Sequence, residues 1–433
     1  MKASRSALAL LIFIITVHVA FLLPQRNGSS EVRAGYTPST CPGAIKDARA
    51  LLLLPSKEQS TKNLKSLKAD FQARGAGTVP VKDGAILIAG DPRNTIEIQT
   101  KVGKWTSAVT CRVGESESWF VGGTAGVTSQ GKILFDNSGL SDATVEVLSF
   151  SEKGPSNPIS YTIKAASELA IRLDSLNPGA GKFVTRVKVI NGRVTTFLLD
   201  ERVKGLTNLG ADFVAPTMAP ATTVIIPGLP ATLGKKSTVA HVLRLMATGS
   251  LDGTASVEII SSNGVFVPVG LGEIPLNSQE VFDIPLTDIK TGSKDFGLRI
   301  TATTEIVAGV FTQGKQGSMS DFSWQSAVAP FQLASFNLYG IEANLTIIGK
   351  QISLLAEWSD NRGKTFRENL KGDEIVNWRI PPNSRLLRLT DYSGSYATLS
   401  WQTADGITSL PVTSGSVMAS ATRPISDLSV IQP

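Results

Sequence analysis

Histidine and cysteine are almost absent, with two of each in 433 residues. Two cysteines exclude a disulfide-dense scaffold and any cysteine-rich zinc module. His18 falls in an apolar N-terminal run, which leaves His241 alone for histidine chemistry; it sits in Thr238-Val239-Ala240-His241-Val242-Leu243, a strand-like run that favours a structural role. Charge is also sparse: 18% of residues are charged against a usual share of about 25%, while 42% are hydrophobic. This excludes a disordered chain or one that coats nucleic acid. No G-x-S-x-G nucleophile elbow occurs. Asp360-Asn361-Arg362-Gly363 lacks the acidic spacing of a calcium loop. Gly179-Ala180-Gly181-Lys182-Phe183 ends in Phe where a phosphate loop needs Ser or Thr, and Gly228 to Ser237 has the wrong spacing, so both read as turns. No metal and no cofactor is expected.

What is present begins with an apolar run, Ala7 to Leu23, broken only by Thr16 and His18. At about 1.5 Å per residue, such a helix just crosses a hydrocarbon core of roughly 30 Å. Lys2 and Arg5 precede it and only Arg26 follows closely, which predicts a cytoplasmic tail (1–6), a signal anchor (7–23), a linker (24–35) and an extracytoplasmic remainder. The expected location is therefore the plasma membrane, single-pass. A cleaved signal peptide ending near Gly28-Ser29-Ser30 is the competing reading. In either case Cys41 and Cys111 meet an oxidising compartment, where an even pair is expected to bridge.

From residue 36 onward, short alternating segments rich in Val, Ile, Thr and Phe are separated by Gly, Pro, Asn and Ser. This is the pattern of all-β sandwiches. Length alone suggests about three domains, but internal repeats give a finer division. Thr144-Val145-Glu146-Val147-Leu148 returns as Ser256-Val257-Glu258-Ile259-Ile260, and Glu168 to Leu173 returns as Gln279 to Ile284, with a weaker echo at Ile375 to Ile380. Thr185–Val189 and Val194–Leu198, joined at Asn191-Gly192, read as a hairpin. It recurs at 298–301 with 306–311, at 387–390 with 396–401, and at 96–100 with 105–111. Junction phrases at Ser118-Trp119-Phe120, Asp212-Phe213 and Asp321-Phe322 divide the chain into tandem β-sandwich units, Ig-like or jelly-roll-like, at 36–118, 119–216, 217–330 and 331–430. Ser56 to Ala73 also has helical spacing, but the repeat favours strands there. Cys41 then lies near the first strand of unit one and Cys111 on its last, so the bridge pins its two ends.

Residues 24–112 hold 14 basic against 7 acidic residues, and residues 113–433 hold 26 against 29. The membrane-proximal unit is thus basic, suited to anionic headgroups or wall polymer. Paired carboxylates are the remaining route to catalysis. Glu115-x-Glu117 beside Trp119 is the one candidate ligand surface, since aromatic faces pack on sugar rings. The six tryptophans, Trp105, Trp119, Trp324, Trp358, Trp378 and Trp401, are expected at matched repeat positions as core anchors.

A short tail, one anchor, Cys41-Pro42-Gly43 and the Trp119-Phe120-x-Gly122-Gly123 phrase resemble a family of actinobacterial envelope proteins of unknown function. The resemblance implies an envelope location and repeated sandwiches, and it carries no functional residues. Relatives place a cysteine near the Trp-Phe phrase; here the nearest, Cys111, lies eight residues earlier, which leaves the pairing open on that ground. The expectation is a non-catalytic, membrane-anchored rod of tandem sandwiches that binds wall polymer or another envelope protein. The alternative is an extracytoplasmic carbohydrate-active enzyme using two carboxylates.

Overall fold

Alternation along each segment becomes burial on one face. In Ala143–Ser151 every second side chain is buried until the last three, which all are. The structure is a computed structural model describing residues 38–55, 59–66, 70–82, 84–89, 94–287, 289 and 291–414, with the backbone of 31–33 and 420–422. The expected anchor, Ala7–Leu23, lies outside these residues. No helix among those described is long and apolar enough to cross a membrane, and the one α-helix among them is the single turn Leu173–Leu176. Glu31–Arg33 pairs antiparallel with Ser420–Thr422 as a two-stranded ribbon. Residues 36–417 form a separate unit.

Inside residues 36–417 the same eight-strand arrangement occurs four times. In the first sandwich the strands are Ser39–Cys41, Arg49–Leu54, Gln59–Asn63, Gln72–Arg74, Gly77–Val81, Ile86–Ala89, Ile96–Lys101 and Trp105–Thr110. One layer has strand order 1-6-3-4 and the other 5-2-7-8. The second sandwich runs from Glu117–Val121 to Thr207–Val214 with the same two orders; in the third, from Ala221–Leu229 to Met319–Ser326, the long strand Phe296–Gln316 serves as both sixth and seventh and joins the two layers into one sheet. The fourth runs from Leu333–Asn337 to Ile407–Pro411. There, Asn344–Ser359 supplies strands two and three and Thr365–Arg379 supplies four and five, each passing from one layer to the other at a break in register near 349–352 and 372–374. Each core fills the space between its layers: Phe120, Ile133, Val145, Val187 and Leu198 meet in the second sandwich.

The repeated phrases fall on equivalent strands. Thr144–Leu148 and Ser256–Ile260 are third strands, and the three echoes around 168, 279 and 375 are fifth strands. Gln59–Asn63 and Gln72–Arg74 are strands, so helical spacing between Ser56 and Ala73 yields to sheet pairing.

Three expectations need correction. Thr185–Val189 and Val194–Leu198 are not a hairpin: the first segment pairs with strands one and three, the second with strands two and eight. The chain crosses between layers at Asn191–Arg193, where Gly192 has φ of 87° and a Cβ would strike Ala143. The segments near 298–311 and 387–401 cross likewise, and only 96–101 with 105–110 is a true hairpin. A period of two reports which face a residue takes and not which layer its strand joins. Consequently Ser118-Trp119-Phe120 opens a first strand, whereas Asp212-Phe213 and Asp321-Phe322 lie on eighth strands. The tryptophans do not share one repeat position either; they occupy first, third, fifth, seventh and eighth strands.

The third correction concerns shape. The four sandwiches close on one another and do not extend as a rod. Their eighth strands pack side by side, first on second, second on third, third on fourth and fourth on first. Leu53, Ile96 and Ala108 of the first sandwich share one core with Phe336, Leu345 and Leu399 of the fourth.

Candidate functional site

The centre of this ring is polar. Asp321, on the third sandwich's eighth strand, turns its carboxylate toward the other three. Oδ2 accepts the Thr106 N–H at 3.3 Å from the first sandwich and the Ile407 N–H at 3.2 Å from the fourth. Oδ1 accepts the Ala211 N–H at 3.2 Å from the second. Gly210 and Gly406 flank this carboxylate, and a Cβ on either would collide with it. Burial pushes the Asp321 carboxyl up to about 8, against the pull of the amides.

Two more acids extend the junction. Asp212 accepts the Ser107 hydroxyl and the Trp324 N–H, each at 2.7 Å, and burial holds its carboxyl well above the usual range. Asp200 accepts the Trp324 indole N–H at 2.9 Å and is forked by Arg202, whose guanidinium lies over Phe311 and Phe322. Arg244 packs under Trp324, pairs with Asp283 and donates to the Gly123 and Phe183 carbonyls. Buried polar and ionisable groups persist where hydrogen bonds or a paired charge compensate them.

Beside the eighth strands lies a cavity of about 520 Å³, lined by the first, second and fourth sandwiches and by the segments that flank the third. Its walls are mainly apolar, with Arg112 and Glu115 among the few charged groups. Arg112 follows Cys111, which is disulfide-bonded to Cys41 as the sequence predicts. Paired backbone hydrogen bonds between Thr40 and Arg112 continue that staple. Arg112 Nη2 lies 3.3 Å from the Ser118 hydroxyl and 3.6 Å from Glu115, while Nε is buried without a hydrogen-bond partner among the described residues. Burial lowers its pKa, with Glu115 opposing.

The sequence-predicted surface is only partly assembled. Glu115 lines this cavity but Glu117 does not; Glu117 accepts the Trp119 indole N–H at 2.8 Å and faces Arg186 at 3.7 Å. Trp119 is buried, stacked on Phe150 with Arg186 over its ring, so its face is closed to a sugar. His241 is buried too: Nε2 donates to the Pro230 carbonyl at 3.1 Å and Nδ1 lies 3.0 Å from the Thr312 hydroxyl. His241→Ala is expected to cost roughly 1–3 kcal/mol and to leave cellular function intact at permissive temperature. Lost function at unchanged melting would overturn that assignment.

Among the described residues, no group of three or more metal-ligating side chains could hold an ion. The buried acids instead set a pH response. Burial raises Asp295 from 3.8 to about 6, Glu97 from 4.5 to about 7 and Asp321 from 3.8 to about 8. Each keeps its proton when native at pH values where the unfolded chain has lost it, so stability is greatest below the unfolded values and falls toward the folded ones. His241, lowered from 6.5 to about 4, acts oppositely, adding stability as pH rises through that interval. The melting temperature is therefore expected to fall between pH 6.5 and about 8, where His241 no longer offsets the acids. A flat or rising profile there would contradict this.

The fold and centre define an all-β protein of closed tandem sandwiches. The chain belongs to a family of unknown function, DUF5719, whose model matches residues 72–338. No curated protein matches it. Among solved structures, similarity is seen to a protein of Thermotoga maritima, at 11% identity and TM-score 0.21, covering 25% of this chain and 95% of that one. A tetra-tandem repeat from the extending region of a large adhesion protein shows 10% identity and TM-score 0.12 over 86% of this chain and 93% of that one. Trypsin-activated alpha-2-macroglobulin from Escherichia coli shows 9% identity and TM-score 0.12 over 87% and 30%.

Proposed function

We propose that this chain is a non-catalytic, membrane-anchored protein of the extracytoplasmic envelope, attached through Ala7–Leu23 and serving as a rigid scaffold toward anionic wall polymer or another envelope protein. The observation that carries the reading is the use made of the central ionisable groups. Asp200, Asp212, Asp321 and Arg244 each make hydrogen bonds that join one sandwich to another. Groups so committed serve assembly, because moving them would break the junction. The Cys41–Cys111 bridge supports an oxidising compartment, and the excess of basic residues in 24–112 suits an anionic surface.

Labelling intact cells with a membrane-impermeant amine reagent tests this. The chain is expected to label before lysis, to stay with membranes through alkaline extraction, and to offer no free thiol when denatured without reductant. Recovery in the soluble cytoplasmic fraction with two free thiols would overturn the reading.

A further inference from the structure

The junction acids bind the sandwiches together, but the cavity beside them is left unfilled by that bonding. We propose that this cavity binds one amphiphile, its apolar chain between the sandwiches and its anionic head beside Arg112. A volume of about 520 Å³ is in the range of small-molecule sites. Ile88 comes from the first sandwich, Phe197, Leu198 and Phe213 from the second, Val328 from the segment after the third and Leu410 from the fourth, so the walls favour a hydrocarbon body.

Charge selects the head. Arg112 is mostly buried, yet its acidic neighbour Glu115 stands 3.6 Å away with half its side chain in solvent. Among the described residues the Nε proton has no acceptor. A guanidinium fork left under-compensated beside apolar walls favours an incoming carboxylate or phosphate, since a low dielectric strengthens the attraction. The disulfide and the Thr40 hydrogen bonds fix the backbone of Arg112, so its head group is positioned before a ligand arrives. Thr196 and Thr217 add hydroxyl-bearing side chains to the lining. The inference does not depend on where the protein resides, so its failure would leave the envelope reading to the labelling experiment.

Isothermal titration of the purified full chain with dodecanoate, dodecyl phosphate and dodecanol, each below its micellar concentration, tests it. One-to-one binding of an anionic probe is expected, at least tenfold tighter than dodecanol; the tighter of the two anions identifies a carboxylate or a phosphate head. Arg112→Gln should bring the anion down to the affinity of dodecanol. Ala329→Trp, at an exposed lining position, should weaken all three probes tenfold or more. If Arg112→Gln fails to melt cooperatively, Ala329→Trp and the anion-to-dodecanol ratio decide alone. No binding of any probe, equal affinity for dodecanol and the anions, or affinities unchanged by a folded variant would each overturn the proposal.

Discussion

Asp321→Ala is expected to cost about 3–5 kcal/mol and to loosen all four sandwiches together. The substitution strands three buried N–H groups at once, those of Thr106, Ala211 and Ile407. Each orphaned donor costs roughly 1–3 kcal/mol, partly recovered where water enters the space left by the carboxylate. Asp321→Asn should fall between wild type and alanine. Each carboxylate oxygen already accepts at least one amide, so an Asn nitrogen must face a donor on one side or the other. The Asn variant should also shrink the fall in melting temperature between pH 6.5 and about 8, because one of the buried acids responsible is gone. Urea unfolding followed by tryptophan fluorescence reads the loss directly, since Trp324 is bonded to both neighbouring acids. A cost below about 1 kcal/mol for Asp321→Ala would show that the junction is held by its apolar contacts.

Breaking the bridge between Cys41 and Cys111 should produce a loss of similar size, concentrated in the first sandwich. The two cysteines are 70 residues apart, and releasing such a loop costs about 4 kcal/mol by loop-closure entropy. The first sandwich has little to set against that. Its own core gathers few large side chains, among them Leu52, Leu54 and Ile88, and both half-cystines belong to it. Small cores depend on such staples. Cys111→Ala, compared with wild type in the presence and absence of reductant, should lower the melting temperature by the same amount as reduction and should abolish the effect of reductant. Hydrogen exchange should rise first in Ser39–Cys41 and Ile86–Ala89, which pair with each other. Melting that ignores reductant would mean the bridge stabilises nothing measurable.

Much of this architecture was legible in the chain itself. The third-strand and fifth-strand phrases repeat because each occupies the same place between two layers, and a period-two pattern survives wherever one face is buried. The disulfide was legible from cysteine count and expected compartment. The closure of the ring was not. It depends on which side chains leave a sandwich to meet another, and along one strand an acid such as Asp321 looks like any outward-facing polar residue. A signal does exist: Asp212-Phe213 and Asp321-Phe322 each set an acid directly before buried apolar residues. The glycines beside Asp321 were unreadable for the same reason, because their crowding arises between residues far apart in sequence. Trp119 looked like a ligand platform because an aromatic beside two acids in a loop has the composition of one. Its neighbour Phe150, 31 positions on, closes that face.

Closing the ring also orders events during synthesis. The Ala108 amide donates to the Thr408 hydroxyl, 300 residues later, and Leu53 and Ile96 finish their packing against the last sandwich. A nascent chain made at about 5–20 residues per second would carry that apolar face uncovered for roughly 15–60 s. Contacts of such long range also slow the final closure. Until then the first sandwich keeps that face uncovered, and a chain truncated before the fourth sandwich would keep it exposed for its whole lifetime.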